Sequence, residues 1–160
     1  MKPKENCCCF TGHRVIKGEH IDILPRKLNL VIKDLFEVHR VCDFVAGGAL
    51  GFDMLAAEAV LKARDENPAL RLILALPCKN QTKGWKDTHK LRYENILNQA
   101  DKIIYVSQNY TSGCMHKRNR FMVDNSSHCI FYMTRPSGGT AYTVRYALEN
   151  NLKMHNIITK

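Results

Sequence analysis

The sequence predicts an α/β fold, a single Rossmann-like, doubly wound domain over residues 1–160 with a mainly parallel sheet flanked by helices. Short apolar runs of strand length alternate with segments of helical periodicity along the whole chain. The apolar runs are continuous, which is typical of strands buried on both faces of a parallel sheet. With 160 residues, 45% of them hydrophobic, the chain has the size of one domain with its own core.

The first half of the chain gives two strand, turn and helix units. Cys7 to Phe10 is a bounded apolar run, and Pro25, a residue suited to a first helical turn, begins the helix that follows. The apolar residues of this helix recur at helical spacing, at Leu24, Leu28, Val31, Ile32, Leu35 and Val38. Cys42 to Ala46 is a second strand, and Phe52 to Arg64 is an alanine- and leucine-rich helix.

The second half continues the same alternation. The predicted strands are Leu70 to Leu76, Lys102 to Val106, His128 to Met133 and His155 to Ile158, and the predicted helices are Lys86 to Asn98, Cys114 to Asn125 and Thr140 to Asn150. The polar segment Cys78 to Trp85 is either a lid or a simple connection.

Composition narrows the class of protein. No apolar run reaches about 18 residues, and Met1 to Asn6 lacks the features of a secretory signal, so we expect a cytoplasmic protein with no membrane partner. The seven cysteines include the consecutive Cys7, Cys8 and Cys9, whose side chains alternate between the faces of a strand. We therefore expect reduced, buried cysteines and no metal site. The net charge of +9 is compatible with nucleic acid, acidic membranes or phosphorylated ligands.

Four loops follow predicted strands at the sheet edge where open parallel sheets bind ligands. They are Thr11-Gly12-His13-Arg14, Gly47-Gly48-Ala49-Leu50-Gly51, Ser107 to Arg120 and Pro136 to Thr140. Glycines at such turns let the backbone approach a phosphate, and the next helix supplies free N–H groups. The turn at 47–51 matches neither the dinucleotide fingerprint nor the Walker loop, and each glycine turn is equally open to a purely structural role.

Several side chains in these loops are candidates for contact with a ligand. Arg14 and Arg118 carry the planar fork that binds phosphate or carboxylate, although a lone arginine is more often solvated. His13 and His116 are weaker candidates, because a single histidine usually has a structural hydrogen bond. Asp53 either complements the dipole of its helix or accepts hydrogen bonds from a ribose.

Four further residues are each open to two interpretations, one functional and one structural. Ser137 and Thr140 either donate hydroxyl groups to a phosphate or cap the last long helix. Trp85 and Tyr93 either stack on a base or, the reading we favour, are buried against the sheet.

The combined motifs resemble the YpsA-like family of the superfamily that joins the DNA-processing protein DprA to the LOG "lysine decarboxylase-like" proteins (SLOG). The motifs are Phe10-Thr11-Gly12-His13-Arg14, Gly47-Gly48-Ala49-Leu50-Gly51-Phe52-Asp53, Leu76-Pro77, Gln81 with Trp85, Arg118-Asn119 with Met122-Val123-Asp124, and Gly138-Gly139-Thr140. The resemblance implies a Rossmann-like fold with a pocket for a nucleotide-derived ligand, mainly in binding or sensing proteins. It also makes a homodimer plausible.

An enzymatic reading follows from the same resemblance. Met115-His116-Lys117-Arg118 is similar to the MHxR segment of LOG phosphoribohydrolases, in which the arginine is catalytic and a glutamate completes a GGxGTxxE motif. Thr143 stands where that glutamate belongs, which argues against N-glycosidase activity because such a reaction needs a carboxylate. A hydrolase is the alternative function if Glu58 or Asp53 takes the place of that glutamate. DprA-like binding of single-stranded nucleic acid is a third hypothesis.

Our leading hypothesis from the sequence is a non-catalytic domain that binds or senses a phosphate-containing nucleotide. No other cofactor is indicated. The expected ligand-binding residues are Thr11, Gly12, His13, Arg14, Gly47, Gly48, Gly51, Asp53, Arg118, Asn119, Gly138, Gly139 and Thr140.

Overall fold

The structure, a computed structural model, describes the backbone of residues 4–158 and contains one six-stranded parallel sheet. The strands are β1 (Cys7–Gly12), β2 (Asp43–Ala46), β3 (Arg71–Leu76), β4 (Lys102–Tyr105), β5 (His128–Tyr132) and β6 (Lys153–Asn156). The helices are α1 (Gly18–Ile21), α2 (Leu24–His39), α3 (Phe52–Glu66), α4 (Asp87–Gln99), α5 (Cys114–Asp124) and α6 (Gly139–Glu149). The predicted fold class is confirmed.

The strand order is β4-β3-β2-β1-β5-β6, so the winding direction reverses beside β1. Helices α2, α3 and α4 belong to the core cluster on one face of the sheet, and α5 and α6 belong to the cluster on the other face. The consecutive cysteines follow this division, because Cys8 lies in the first cluster while Cys7 and Cys9 lie in the second. All seven cysteines are free thiols.

Burial explains where sequence and structure agree. β1, β2, β3 and β5 are almost entirely buried, whereas the edge strands β4 and β6 are largely exposed or half-buried. The continuous apolar pattern therefore holds for central strands and weakens at the edges, where one side of the strand has no neighbour.

Two elements differ from expectation. The last strand runs over Lys153–Asn156 rather than His155 to Ile158, because its backbone pairs with β5 from the His128 and Lys153 register onward. The short helix α1 was not predicted, and none of its four residues is buried, so it has no apolar periodicity to detect.

Candidate functional site

A cavity of about 280 Å³ lies at the carboxyl ends of the strands, at the point where the winding reverses. Open α/β sheets bind ligands at such a switch point, because the neighbouring crossovers leave toward opposite faces. The structure brings nine of the predicted residues to its wall, namely Thr11, Gly12, His13, Arg14, Asp53, Arg118, Asn119, Gly139 and Thr140. Four others, Gly47, Gly48, Gly51 and Gly138, do not line it. We call this space the first cavity.

Arg118 is a buried cation at the base of the first cavity rather than a solvated loop residue. It lies on α5, is 4% exposed, and donates from Nη1 to the carbonyl oxygen of Gly47. Its Nε donates to Oδ1 of Asn119 at 2.7 Å and its Nη2 to the sulfur of Met115 at 3.7 Å. Burial lowers the pKa of Arg118, and the nearby carboxylate of Asp53 opposes that shift. The guanidinium therefore has both a packing role and donors left over for a ligand.

Asp53 faces Arg118 across Gly47. Its side chain is buried, and its Oδ2 accepts a hydrogen bond from the backbone N–H of Ala49 at 3.3 Å. Burial raises the pKa of Asp53, whereas Arg118, the Ala49 N–H and Arg14 act in the opposite direction. A buried carboxylate on a cavity wall beside an arginine offers acceptors to a ligand hydroxyl.

The glycines after β2 allow close internal packing. A Cβ at Gly47 would lie 2.5 Å from Nη1 of Arg118 and 2.8 Å from Oδ2 of Asp53. Gly48 has φ +72° and lies against Leu76, and Gly51 has φ +82° and lies against the backbone of Arg14. None of these three glycines lines the first cavity, and the close packing explains why glycine occupies each position. Gly12 lines the cavity, but its α-carbon also lies against the ring of Phe52.

The two glycines at the start of α6, Gly138 and Gly139, lie in open space. No heavy atom lies within 4 Å of a Cβ built on Gly139, and the nearest atom to one on Gly138 is the Arg135 guanidinium at 3.7 Å. Gly138, with φ +94°, is the N-cap residue and provides no side-chain cap, so the alternative that Ser137 or Thr140 caps α6 is wrong. The N-terminus of α6 therefore meets the first cavity at Gly139 and Thr140, and no heavy atom blocks the position of a Cβ on Gly139.

His13 is a neutral hydrogen-bonding residue on the wall of the first cavity. Its Nε2 accepts a hydrogen bond from the backbone N–H of Thr134 at 2.9 Å. Burial lowers the pKa of His13, and Arg135 lowers it further. The proton of the neutral ring is therefore on Nδ1, which can act as a donor.

Sequence reasoning missed four residues of the cavity wall, Val15, Ala49, Met115 and Arg135. Arg135 is exposed and lies in the loop between β5 and α6, one residue before the segment 136–140 that was singled out. Extending that loop back to the end of the strand would have found it. Ala49 and Met115 belong to motifs quoted above but, like Val15, they carry no side-chain group that would mark them as ligand contacts.

Three residues considered from the sequence, Glu58, Thr143 and His116, do not line the first cavity. The carboxylate of Glu58 is paired with Arg92 at 2.5 and 2.9 Å on the α4 side of α3. Glu58 is therefore wrongly placed to replace the LOG glutamate. Thr143 is buried and its hydroxyl donates to the carbonyl of Gly139 within α6. His116 packs against the ring of Tyr142, with 4.4 Å between the ring centroids.

A second cavity of about 580 Å³ adjoins the first and shares Arg14 and Met115 with it. Its other lining residues come from the 80–85 loop and from Tyr110. The polar segment 78–85 is thus part of a cavity wall. Trp85, at the end of this segment, packs edge-on against the buried Tyr93, with 5.4 Å between the ring centroids.

Residues 4–158, which the structure describes, carry neither a cluster of metal-ligating side chains nor a membrane-spanning helix. They hold no group of three or more His, Cys, Asp or Glu side chains that could bind a metal ion. None of their helices is both long and apolar enough to cross a membrane.

The fold and the position of the cavity define a Rossmann-like α/β domain with a polar crevice at its topological switch point. Comparison with family models then identifies the family: the chain belongs to the YpsA family, described as the YspA SLOG family, whose model matches residues 10–159. The resemblance drawn from the motifs is confirmed.

Curated relatives agree with this membership. The chain is 31% identical over 141 residues to the uncharacterized SPbeta prophage-derived protein YoqJ of Bacillus subtilis strain 168, covering 81% of this chain and 82% of YoqJ. It is 32% identical over 142 residues to a UPF0398 protein of Bacillus thuringiensis strain Al Hakam, covering 83% of this chain and 74% of the relative.

Solved structures of DNA processing protein A share the fold. The Helicobacter pylori protein, whose single-stranded DNA binding mode was described, superposes with a TM-score of 0.65 at 19% identity, over 94% of this chain and 64% of the other. The Streptococcus pneumoniae protein gives a TM-score of 0.65 at 16% identity, over 94% and 50% of the two chains. This chain therefore spans less than two thirds of either protein.

Proposed function

We propose that this protein binds, as a sensor or binding domain, a phosphate-containing nucleotide-derived ligand in the first cavity. The observation that carries the proposal is the N-terminus of α6, which reaches the cavity at Gly139 and Thr140 with no side chain packed over Gly139. Unpaired N–H groups and the helix dipole at such an end favour a phosphate.

The surrounding side chains fit an anion. Arg14 and Arg135 are exposed cations on the wall of the first cavity, and Arg118 adds a buried third. The Nδ1–H of neutral His13 is a further donor. Since Asp53 is the single carboxylate among the lining residues, the wall carries a net positive charge.

Asp53 fits the sugar of the same ligand. Its carboxylate accepts one backbone hydrogen bond, so acceptor capacity remains for ribose hydroxyl groups. The dipole alternative considered above is compatible with this role, because Asp53 lies in the first turn of α3.

Titration calorimetry with ribose 5-phosphate, AMP and ADP-ribose tests the proposal. We expect at least one of them to bind, and Arg135→Gln to weaken that binding about tenfold, the size of one charge-assisted contact. Arg145→Gln is the matched control, because Arg145 is an exposed arginine on α6 that does not line the cavity. No binding by any of the three, or an equal loss in both variants, contradicts the proposal.

Hydrolysis is a second candidate, because a buried carboxylate with a raised pKa stands beside Arg118 at the cavity. Release of free adenine from AMP, measured by chromatography and abolished by Asp53→Asn, would establish it.

Single-stranded nucleic acid is a third candidate, favoured by the net charge of +9 and by the DprA fold. It predicts affinity for an oligonucleotide that falls steeply with salt. Cytoplasmic location and a homodimer remain predictions.

A further inference from the structure

Gln81, a residue that lines the second cavity, carries a buried hydrogen-bond acceptor that has no partner. Gln81 is 7% exposed and lines this cavity. Its Nε2 donates to the hydroxyl oxygen of Tyr93 at 3.0 Å and to the carbonyl of Gly48 at 3.5 Å. Because a backbone carbonyl can only accept, the contact with Gly48 assigns the nitrogen end of the amide to the side that faces Gly48.

The amide oxygen of Gln81 is therefore the atom left over. Among the described residues, Oε1 of Gln81 is the one buried side-chain nitrogen or oxygen atom without a hydrogen-bond partner. An unpaired buried acceptor destabilises a fold by about 1–3 kcal/mol, and natural structures hold few of them. A ligand that brings a hydrogen-bond donor to Gln81 would satisfy this acceptor.

The same cavity offers an aromatic surface. Tyr110 is 62% exposed and lines the cavity, although tyrosine is normally buried at least in part. The backbone N–H of Tyr110 donates to Oδ1 of Asn80 at 3.2 Å, which ties the segment after β4 to the loop that carries Gln81. A planar ring seated against Tyr110 would thus lie next to the loop bearing the free acceptor.

We propose that the second cavity binds the base of the nucleotide and selects a base with an exocyclic amino group, which donates to Oε1 of Gln81. This inference rests on the proposed function, since Arg14 and Met115 line both cavities and join the site of the base to that of the phosphate. The acceptor is shielded from bulk water, so the proposal requires the 80–85 loop to shift before the amine reaches it. A base with a carbonyl at that position would set acceptor against acceptor.

Calorimetry with matched ligands tests the selection. AMP and GMP are each compared with IMP, CMP is compared with UMP, and ribose 5-phosphate reports the phosphate site alone. We expect at least one amino-bearing nucleotide to bind about tenfold more tightly than its partner without the amine and than ribose 5-phosphate.

Two variants test whether the preference for an amino-bearing base arises in the second cavity. Gln81→Met keeps the length of the side chain but removes the acceptor, so it should abolish the preference for the amine while leaving the affinity for ribose 5-phosphate unchanged. Tyr110→Ala, at an exposed ring, should reduce nucleotide binding toward that of ribose 5-phosphate with no change in melting temperature, and it serves if Gln81→Met does not fold.

The outcomes separate the two proposals. Binding of ribose 5-phosphate together with equal affinities within every matched pair keeps the proposed function and overturns the selection of an amine. An amine preference that survives both variants overturns the assignment to the second cavity. Failure of every phosphate-bearing ligand to bind overturns the proposed function itself.

Discussion

Two glycine-bearing loops end at the same edge of the sheet, yet they use glycine for opposite reasons. In the loop after β2, Gly47 and Gly51 are required because side chains and backbone crowd the position of a Cβ. Where the loop after β5 leads into α6, the N-cap Gly138 and the first helical residue Gly139 have open space at the position of a Cβ and provide no side-chain cap. A glycine-rich turn therefore indicates a ligand site only when the space that glycine creates remains empty.

The largest effect that tests this contrast is expected from Gly51→Ala. The new methyl group would overlap the backbone of Arg14 in a left-handed conformation, so we expect a loss of at least about 4 kcal/mol in the free energy of unfolding. Gly84→Ala is the control, because Gly84 has the similar φ of +84° but nothing within 4 Å of a Cβ, and strain alone costs about 1–2 kcal/mol. Equal losses in urea denaturation would show that the packing role of Gly51 is wrong.

Removing the cation packed against Gly47 should have the next largest effect. Arg118→Met leaves the carboxylate of Asp53 and the carbonyl of Gly47 without their buried partner, which we expect to cost about 3 kcal/mol. Arg120→Met is the control on the same helix, since Arg120 is only half-buried and hydrogen-bonded to Tyr142, and should change stability by about 1 kcal/mol or less. If both variants lose the same stability, Arg118 has no special structural role.

A third prediction concerns the opposite end of the sheet, away from both glycine loops. There His128 contacts His155, with 3.0 Å between Nδ1 and Nε2, near His39 and Lys153. Burial and these neighbours lower the pKa of His128 to about 4, below its ordinary value of 6.5.

Because the unfolded chain binds this proton more readily, stability should be unaffected above pH 6.5 and fall as the pH drops from there toward 4, by roughly 2 kcal/mol. Urea denaturation at pH 7.5, 5.5 and 4.5 measures the slope, and His128→Asn should make it shallower. Unchanged acid sensitivity in that variant would place the titrating groups elsewhere. Ligand effects at the glycine loops are best measured above pH 7, where this end of the sheet contributes nothing.

The smallest effect on stability is expected from Gly139→Ala. Its position is open and its φ is not in the left-handed region, so the free energy of unfolding should change by about 0.5 kcal/mol or less. Binding of ribose 5-phosphate should nevertheless weaken about tenfold, because the methyl group stands where a phosphate approaches the N–H groups. Unimpaired binding, measured by calorimetry, would remove the N-terminus of α6 from the site.

Much of the fold follows from local chemistry that can be read along the chain. The apolar runs of the central strands are unbroken because both of their faces are covered, and α2 shows its core side as a regular apolar repeat from Leu24 to Leu35. The strand-end loops around Gly12 and Gly139 could likewise be placed at one sheet edge, since every strand is parallel.

What the tertiary structure decided is the role of each polar residue and each glycine. Three examples depend on contacts between segments distant in sequence. Gly51 lies against the backbone of Arg14, and Glu58 pairs with Arg92 instead of reaching the cavity. Gln81 keeps an unpaired oxygen. Sequence determined the positions at which such residues occur, because periodicity and turn chemistry are local. Only packing determined their partners, because burial and hydrogen bonding belong to the folded chain as a whole.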